Sequence, residues 1–534
     1  MLMILKFLKW GVVSLILSIY YCFGQALPPV AHFQTEDYGA DNQNWAITQT
    51  QDQTLFFANG KGLLTYDGEH WELLGSPNNT ILRSAHAVGD VVYTGAYMEF
   101  GVWQKNLMGD YEYSSLSTDV GLIEDEQFWT ISTLNNDVYF QSLDAIYRYD
   151  TLKKDVSSIK VDGDITKMVI IDDELYFHIK NAGLYKLVNG QQLLVNDSQL
   201  IKESILINLY KINNQLYAQT QFNGILNLET SQPYIPINST SIWPEIAVYS
   251  SIQKSNGDLY LGTISNGLLK VSKNKVVYNL NQNNTLSNNT VLSIYEGMSN
   301  NIWLGLDNGI NSIDDDSHVS IYNDTNGQIG TIYTTLKHNG LLYVGSNQGL
   351  FYFNTAINQF SLVEGTNGQV WSLFAYENTL FCAHHNGTFI IDNDQSKFIA
   401  NTKGTWAFRV KDKNTVLSGN YDGLYLYKFD KEWNLEKKIK GFDISSQYFE
   451  FIDSATILVN HEYKGLIKLN LDNTLTNVID YNVIKSVDKG LLSSIVKYKD
   501  RIFYTYKEGV FKFDHKNLLD RFTINLSRSS NCRS

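Results

Sequence analysis

Residues 302–313 read IWLGLDNGINSI, and their pattern indicates the architecture of the whole chain. Three other stretches have the same shape: 259–271 (LYLGTISNGLLKV), 342–353 (LYVGSNQGLFYF) and 55–66 (LFFANGKGLLTY). Each has an apolar strand ending in a small residue, a polar turn ending in Gly, and a second strand rich in Leu and aromatic residues. A tight turn of this kind favours glycine, which adopts a positive φ without steric cost. The stretch is therefore one copy of a β-hairpin repeat.

The second glycine of the turn marks the period of the repeat. It recurs about every 41 residues, and this length suits a blade of four short strands. The copies are at Gly62, Gly101, Gly183, Gly224, Gly267, Gly309, Gly349, Gly387, Gly423, Gly465 and Gly509, with Ala145 in the equivalent place of one further copy. Solenoid repeats are shorter, and a row of sandwiches would not keep one motif at this spacing. The repeat therefore predicts β-propeller blades.

The number of copies sets the domain organisation. Propellers close with about four to eight blades, so twelve copies do not fit one ring. The sequence predicts an all-β chain of tandem propellers: a seven-bladed first propeller within residues 25–325 and an incomplete second one within 326–520. An irregular tail, 521–534, follows them.

The composition narrows the classes of function. Lys and Arg number 42 against 55 Asp and Glu, which gives a net charge of −13, and the basic residues form no cluster. Direct contact with nucleic acid by this segment is therefore not expected. The three cysteines, Cys22, Cys382 and Cys532, form no disulfide or zinc pattern. We expect no metal and no cofactor.

The N-terminus has the pattern of an export signal. Lys6 and Lys9 precede an apolar run, 10–23, and Gly24 provides a small residue for cleavage. The run is short for a membrane-spanning helix, which needs about 20 residues. We predict a signal peptide, 1–24, and a periplasmic chain; an uncleaved anchor is the alternative.

The repeat resembles that of a known family. An apolar-aromatic-Leu-Gly strand followed by Asn-Gly-Ile/Leu, with 288–294 (NNTVLSI) ahead of it, resembles the two-component-regulator propeller repeat. The resemblance covers about residues 40–515, and 95–103 (GAYMEFGVW) also looks like the second blade of flavobacterial members. It implies the periplasmic sensor region of Bacteroidetes hybrid two-component or triple-tyrosine regulators.

Family members typically carry two seven-bladed propellers, a three-tyrosine domain, a membrane helix and a kinase or DNA-binding module. This sequence has twelve copies, none of those later domains, and a tail, 527–534, without strand pattern. We therefore expect a truncated sensor, with membrane attachment only through a missing C-terminal region or an uncleaved N-terminus.

No enzyme motif stands out in the sequence. There is no GxSxG, HExxH or Walker loop. The acidic runs lack the spaced oxygen ligands of a calcium loop. We predict that the chain is not an enzyme, although a carboxylate pair for glycan cleavage stays open as an alternative.

A binding role fits the aromatic and polar residues of the repeat better. The starts of inner strands and the turns on one face are where a propeller presents side chains to a ligand. Aromatic rings stack on sugar CH groups, and Asn or Glu pairs with hydroxyls. The candidate ligand-binding residues are Trp45, Tyr97, Glu99, Trp129, Asn223, Trp371, His384, Trp406, Asn420, Tyr421 and Glu462.

The prediction that follows is an exported sensor region of a two-component-type transcriptional regulator. Its partner would be a carbohydrate or other small-molecule nutrient ligand, and a homodimer would fit such signal transduction. Two alternatives stay open: an exported propeller that acts on glycans as an enzyme, and a scaffold that binds proteins.

Overall fold

Each copy of the repeat forms one four-stranded antiparallel sheet in the computed structural model of the chain. The structure describes residues 26–118, 120–234, 246–273, 275–324, 327–357, 359–507, 509–513 and 519–521. The predicted signal peptide, with Cys22, and nearly all of the predicted tail, with Cys532, lie outside these residues. The described chain divides into two compact units at Asn323/Asp324.

The first unit, called the ring below, contains seven four-stranded sheets, which we number as blades 1–7 in chain order. The strands of each blade are given from the innermost to the outermost. Blade 1 is Asn44–Gln49, Leu55–Asn59, Gly62–Tyr66 and Trp71–Gly75. Blade 2 is Ser84–Val88, Val91–Gly95, Phe100–Lys105 and Tyr111–Ser115. Blade 3 is Thr130–Leu134, Asp137–Gln141, Ala145–Asp150 and Asp155–Lys160. Blade 4 is Ile165–Ile171, Glu174–Ile179, Gly183–Val188 and Gln191–Asn196.

The rest of the ring continues in the same order. Blade 5 is Leu206–Ile212, Gln215–Thr220, Ile225–Asn227 and Pro233–Tyr234. Blade 6 is Val248–Gln253, Leu259–Thr263, Leu268–Ser272 and Lys275–Leu280. Blade 7 is Val291–Glu296, Ile302–Leu306, Ile310–Ile313 and, from the start of the unit, Val30–Phe33. A short pair, Ala26–Leu27 with Ile321–Tyr322, and two short helices, Thr35–Tyr38 and Gln199–Glu203, complete the unit.

The second unit, called the arc below, contains five sheets, blades 8–12. Blade 8 is Ile332–His338, Leu341–Ser346, Leu350–Asn354 and Gln359–Leu362. Blade 9 is Val370–Tyr376, Thr379–His384, Gly387–Asp392 and Gln395–Asn401. Blade 10 is Thr405–Asp412, Thr415–Asn420, Gly423–Asp430 and Glu432–Lys438. Blade 11 is Tyr448–Phe451, Thr456–His461, Gly465–Leu471 and Val478–Ile484, and blade 12 is Ser494–Tyr498, Arg501–Tyr506, Gly509–Phe513 and Leu519–Arg521.

The core of each unit lies between neighbouring blades. The second strand of a blade, such as Ile302–Leu306, is buried along its length because blades cover both of its faces, whereas an outer strand such as Gln191–Asn196 is largely exposed. The ring has one apolar cluster at each of its seven seams, including the seam between blades 7 and 1. The ring is therefore closed, and Val30–Phe33 ties its N-terminal end into the last blade.

The arc has four such clusters, one at each seam from blade 8 to blade 12. Among the described residues no apolar cluster joins blade 12 to blade 8. The inner strands of these two blades accordingly expose apolar side chains: Ile332 and Tyr333 are 52% and 42% exposed, and Val496 and Tyr498 are 50% and 65% exposed. The predicted class, all-β tandem propellers with a seven-bladed ring and an incomplete second one, is confirmed.

The two glycines of the repeat have different structural roles. Gly305, at the end of the second strand, lies against the next blade, where an added Cβ would meet Ser293 and the carbonyl oxygen of Asn44. Gly309, at the end of the turn, has a φ of 95°, which favours glycine. The first glycine thus allows blades to approach closely, and the second allows the turn.

Candidate functional site

A β-bulge near the start of the inner strand sets one side chain of most blades apart from the sheet. In blade 1, Asn44 pairs with Asn59 and Ala46 pairs with Ala58, so Trp45 has no ladder partner. Such a bulge redirects the extra side chain. The same register shift isolates Thr166, Ile207, Tyr249 and Leu292 in the ring, and Tyr333, Trp371 and Trp406 in the arc.

In blades 2 and 3 the same geometry occurs at the residue just before the inner strand. The backbone N–H of Arg83 donates to the carbonyl of Gly95 at 2.9 Å, although Gly95 already pairs with Ser84. Trp129 makes the equivalent 2.9 Å hydrogen bond to Gln141, which pairs with Thr130. Each of the seven blades of the ring therefore presents one side chain at the equivalent place, the start of its inner strand. We call this place the bulge position.

The residue after the bulge position holds neighbouring inner strands together. Ser84 donates a hydrogen bond to the carbonyl of Phe128 at 2.8 Å, and Ser250 donates to Val291 at 2.9 Å. In the arc, Ser372 donates to the carbonyl of Trp406 at 2.6 Å. These contacts fix the bulge positions of adjacent blades relative to one another.

In the ring, the seven bulge positions line a central cavity of about 600 Å³. Trp45 and Trp129, both predicted as ligand-binding, meet there with ring centroids 6.3 Å apart. The guanidinium of Arg83 lies 3.9 Å from the centroid of the Trp45 ring and 5.0 Å from that of Trp129. The structure thus brings the two predicted tryptophans together and adds an arginine between them.

In the arc, four aromatic side chains form a continuous group, which we call the aromatic row: Tyr333, Trp371, Trp406 and Tyr421. Successive ring centroids are 5.0, 4.8 and 4.7 Å apart. The row is partly open to solvent, since Tyr333 is 42% and Tyr421 is 36% exposed. Three of its members were predicted as ligand-binding residues from the sequence.

Hydrogen bonds hold the rings of the row in place. The indole Nε1 of Trp371 donates to the Tyr421 hydroxyl at 2.7 Å, and that of Trp406 donates to Ser445 Oγ at 3.0 Å. Tyr421 lies against Gly404, whose φ of 65° and close approach leave no room for a side chain. Burial raises the pKa of Tyr421, so its hydroxyl stays protonated and can donate to a ligand.

The other predicted site residues lie in other surroundings. Tyr97 is 41% exposed, while Glu99 accepts hydrogen bonds from Tyr113 and Ser115, both at 2.7 Å. Asn223 donates to Ser204 Oγ at 2.9 Å. These three residues do not line the central cavity of the ring.

The remaining predicted residues belong to the arc. Asn420 is buried and donates to Thr405 Oγ1 at 3.0 Å, and Glu462 accepts from the backbone of Leu492 at 3.4 Å. His384 is buried against Phe389, and burial lowers its pKa to about 4. A neutral imidazole in this place packs in the blade, and its role in ligand binding stays a prediction.

The sequence reasoning missed several residues that the structure groups with the predicted ones. Arg83, Lys167 and Tyr249 line the ring cavity, and Tyr333 starts the aromatic row. A signal for most of them is present: the bulge position is usually followed by Ala, Ser or Thr, as in Arg83-Ser84, Tyr249-Ser250 and Tyr333-Thr334. Aligning the copies on this inner-strand pair would have found Arg83, Tyr249 and Tyr333.

Comparison with solved structures adds independent information on the fold. The extracellular domain of the hybrid two-component system BT3049 from B. thetaiotaomicron is similar with a TM-score of 0.68 and 14% identity, over 93% of this chain and 73% of that one. The chain shares that propeller fold. The matched protein is also of the class that the repeat resembles.

Two further structures are similar at lower TM-scores. The extracellular domain of the one-component system BT4673 from B. thetaiotaomicron has a TM-score of 0.44 and 16% identity, over 94% of this chain and 74% of that one. Streptogramin B lyase has a TM-score of 0.43 and 14% identity, over 55% of this chain and 98% of that one. No protein-family model and no curated protein matches the chain.

Two further features bear on the site's surroundings. Among the residues described, no helix has the length and apolar character that crossing a membrane requires. In the same part of the chain, no three His, Cys, Asp or Glu side chains are grouped as metal ligands would be.

Proposed function

We propose that the chain is the exported, ligand-binding sensor region of a two-component-type transcriptional regulator, and that it detects a glycan at the aromatic row of the arc. The observation that carries the proposal is the row itself: four adjoining rings, partly exposed, on neighbouring blades. The fold shared with an extracellular domain of a hybrid two-component system supports the sensor role. A periplasmic location, by way of the predicted signal peptide, fits both.

The chemistry of the row favours a sugar chain over other nutrients. Carbohydrates present apolar CH faces that pack on aromatic rings, and a row of rings at about 5 Å intervals follows the length of an oligosaccharide. The Tyr421 hydroxyl, which accepts the Trp371 N–H, provides a donor for a sugar oxygen. Exposed rings that are already fixed by hydrogen bonds lose little freedom on binding.

A sensor must also convert binding into a signal. A ligand shifts a conformational equilibrium only when it binds one arrangement better than another. In the arc, the row joins blades 8, 9 and 10 through side chains, so a glycan laid across it would favour one spacing of these blades. We propose that this spacing is what a dimer partner or a further domain of the regulator detects.

The test is affinity electrophoresis of the purified chain in gels containing laminarin, xylan, mannan, inulin or pectin. We expect retardation by at least one polysaccharide, and Trp371→Ala and Trp406→Ala each to weaken it about tenfold, the size of effect expected for a lost stacking ring. Tyr463→Ala is the matched control, since this aromatic residue of the arc is 71% exposed and is not part of the row.

The outcomes separate the alternatives. Equal retardation of the row variants and the wild type would refute the row as the binding site. Release of reducing sugar from a retained polysaccharide would favour the glycan-active enzyme. If no polysaccharide retards the chain, the proposal of a glycan ligand fails, and the protein-binding scaffold is the favoured alternative.

A further inference from the structure

We propose that the central cavity of the ring is a second ligand site, separate from the aromatic row, and that it binds an organic anion: a ring compound carrying a carboxylate or sulfate group. The proposal rests on side chains of blades 1 to 7 alone. It does not depend on the proposed glycan site, and each can fail while the other holds.

The first reason is the supply of hydrogen-bond donors without acceptors. The indole Nε1 atoms of Trp45 and Trp129 and one terminal nitrogen of Arg83 are buried and have no hydrogen-bond partner among the described residues. Buried donors of this kind are costly when unpaired. All three residues line the same cavity, so an acceptor-rich group bound there would lie beside all three side chains.

The second reason is the charge of the cavity wall. Arg83 and Lys167 line its interior, and within the described residues no carboxylate lies within 4 Å of either cation. The other charged lining residues, Asp164 and Lys180, are both exposed and balance each other in sign. The nearby Asp307 accepts a 2.7 Å hydrogen bond from Gln43 and does not line the cavity. Among the described residues, the interior therefore carries two positive charges without an ion-pair partner.

The pKa directions agree with this geometry. Burial lowers the pKa of Lys167, and it lowers the pKa of Arg83 by more than the neighbouring Tyr249 raises it. Tyr249 also lines the cavity, and burial raises its pKa, so its phenol is a neutral hydrogen-bond donor. An anion would supply the missing charge, and the guanidinium fork matches a carboxylate or sulfate in geometry.

The third reason is the shape and lining of the cavity, which point to an organic ion rather than a bare one. A volume of about 600 Å³ exceeds what a small inorganic anion fills. Ile207 and Leu292, at two further bulge positions, and Leu143 add apolar surface. The rings of Trp45, Trp129 and Tyr249 offer faces on which a saturated or aromatic ring can pack.

The experiment is isothermal titration of the purified chain with sodium glucuronate, glucose, glucose 6-sulfate, sodium sulfate and sodium acetate. We expect glucuronate or glucose 6-sulfate to bind at least tenfold more tightly than glucose and than either bare anion. A preference for the uronate would identify the carboxylate as the group recognised, and a preference for the sulfated sugar would identify the sulfate. Equal binding of glucose and both charged sugars, or binding of none of the five compounds, would overturn the proposal.

Variants locate the site. Arg83→Gln and Lys167→Gln should each reduce the affinity for the charged sugar about tenfold or more, because a hydrogen bond to a charged group is lost. Trp129→Phe removes the indole N–H and keeps a ring, so a reduction of about fivefold is expected. Arg501→Gln, an exposed arginine of the arc, is the matched control and should leave binding unchanged.

Thermal unfolding of each variant shows whether it is folded, and Lys167→Gln and Trp129→Phe keep the test decisive if Arg83→Gln does not fold. Unchanged affinity in folded Lys167→Gln and Trp129→Phe would refute the cavity as the site. These variants should retain wild-type retardation by polysaccharide, whereas the row variants should retain wild-type affinity for the charged sugar.

Discussion

The ring and the arc place different residues, in different surroundings, at the same bulge position. In the ring, seven bulge residues of mixed chemistry line the central cavity, where Trp45, Arg83 and Trp129 meet. In the arc, the bulge residues of three neighbouring blades are all aromatic, and the row they form with Tyr421 is open to solvent. The same position in the blade therefore lines a cavity in the ring and forms part of a partly exposed row in the arc.

A buried ion pair of the ring, Asp315 with Lys270, and an exposed one of the arc, Glu432 with Lys397, provide a second comparison. In the ring, Asp315 is buried and accepts hydrogen bonds from Lys270, Tyr260 and Tyr278, the last at 2.6 Å. Burial acts to raise the pKa of Asp315, but these hydrogen bonds outweigh it and hold the pKa below its usual value.

Asp315→Ala should lower the free energy of unfolding of the ring by about 3 kcal/mol, because it leaves Lys270 without its main partner in a buried place. Urea denaturation followed by hydrogen exchange of blade 6 and 7 peptides would measure it. Glu432→Ala breaks the exposed pair with Lys397 in the arc and should have no measurable effect. Equal effects of the two substitutions would contradict the comparison.

The next effect concerns the pH dependence of the arc. His384 is buried with a pKa lowered to about 4 by burial and by the neighbouring His385, whereas an unfolded histidine has a pKa near 6.5. Between these values the unfolded chain binds more protons, so the arc should lose stability as the pH falls from 6.5 to 4, by up to about 3 kcal/mol.

His384→Asn should flatten this pH dependence in arc peptides, since Asn can accept the 3.1 Å hydrogen bond from the backbone of Asn386 without titrating. Hydrogen exchange at pH 4.5, 5.5 and 6.5 would measure the slope. The slope in ring peptides should be unchanged by the substitution. A variant with the wild-type slope in the arc would show that other groups set its acid sensitivity.

A smaller effect is expected at the seams between blades. An added Cβ at Gly305 would meet Asn44 of blade 1, and one at Gly345 would lie 2.5 Å from Val370 of blade 9. Gly305→Ala and Gly345→Ala should each cost about 1–3 kcal/mol through overpacking. Gly75→Ala, where nothing lies within 4 Å, is the control and should be close to neutral.

The seam variants should differ in how far their effect spreads. Gly305 lies at the seam that closes the ring, so faster exchange is expected on both sides of it, in blades 7 and 1. Gly345 lies at an inner seam of the arc, and its effect should stay in blades 8 and 9. Faster exchange throughout the ring but not the arc would show that closure makes the ring one cooperative unit.

Much of the fold could be predicted from the sequence because the repeat encodes local geometry. The turn glycines, such as Gly309, and the small residue before the turn, such as Gly305, reflect a positive φ and a close approach between blades. Both constraints act within one copy and its neighbour, so they are visible in most copies. The exceptions are Ala145 at the turn of blade 3, and Gln141, His178 and Gln219 in the place of Gly305 in blades 3 to 5. The number of copies then fixed the number of blades.

The site was harder to predict because it depends on contacts between copies. The sequence identified Trp45, Trp129, Trp371 and Trp406 as inner-strand aromatics, but it gave no distances between blades. Arg83 was missed because an arginine does not fit the apolar pattern of an inner strand. The turn residues Glu99 and Asn420 were chosen as polar groups, and the structure shows them already bonded within the protein.

The smallest expected effect on stability tests the claim that the arc's bulge residues serve binding more than folding. Tyr333 begins the aromatic row on blade 8, where no described blade covers its inner strand, and it is 42% exposed. Tyr333→Ala should change the free energy of unfolding by no more than about 0.5 kcal/mol, since it removes an exposed side chain from an edge. The same variant should weaken polysaccharide retardation severalfold, because it shortens the row by one ring. If instead stability falls by as much as at a seam glycine while retardation is unchanged, the exposed rings stabilise the open end of the arc, and the ligand site must be sought among the other residues of that unit.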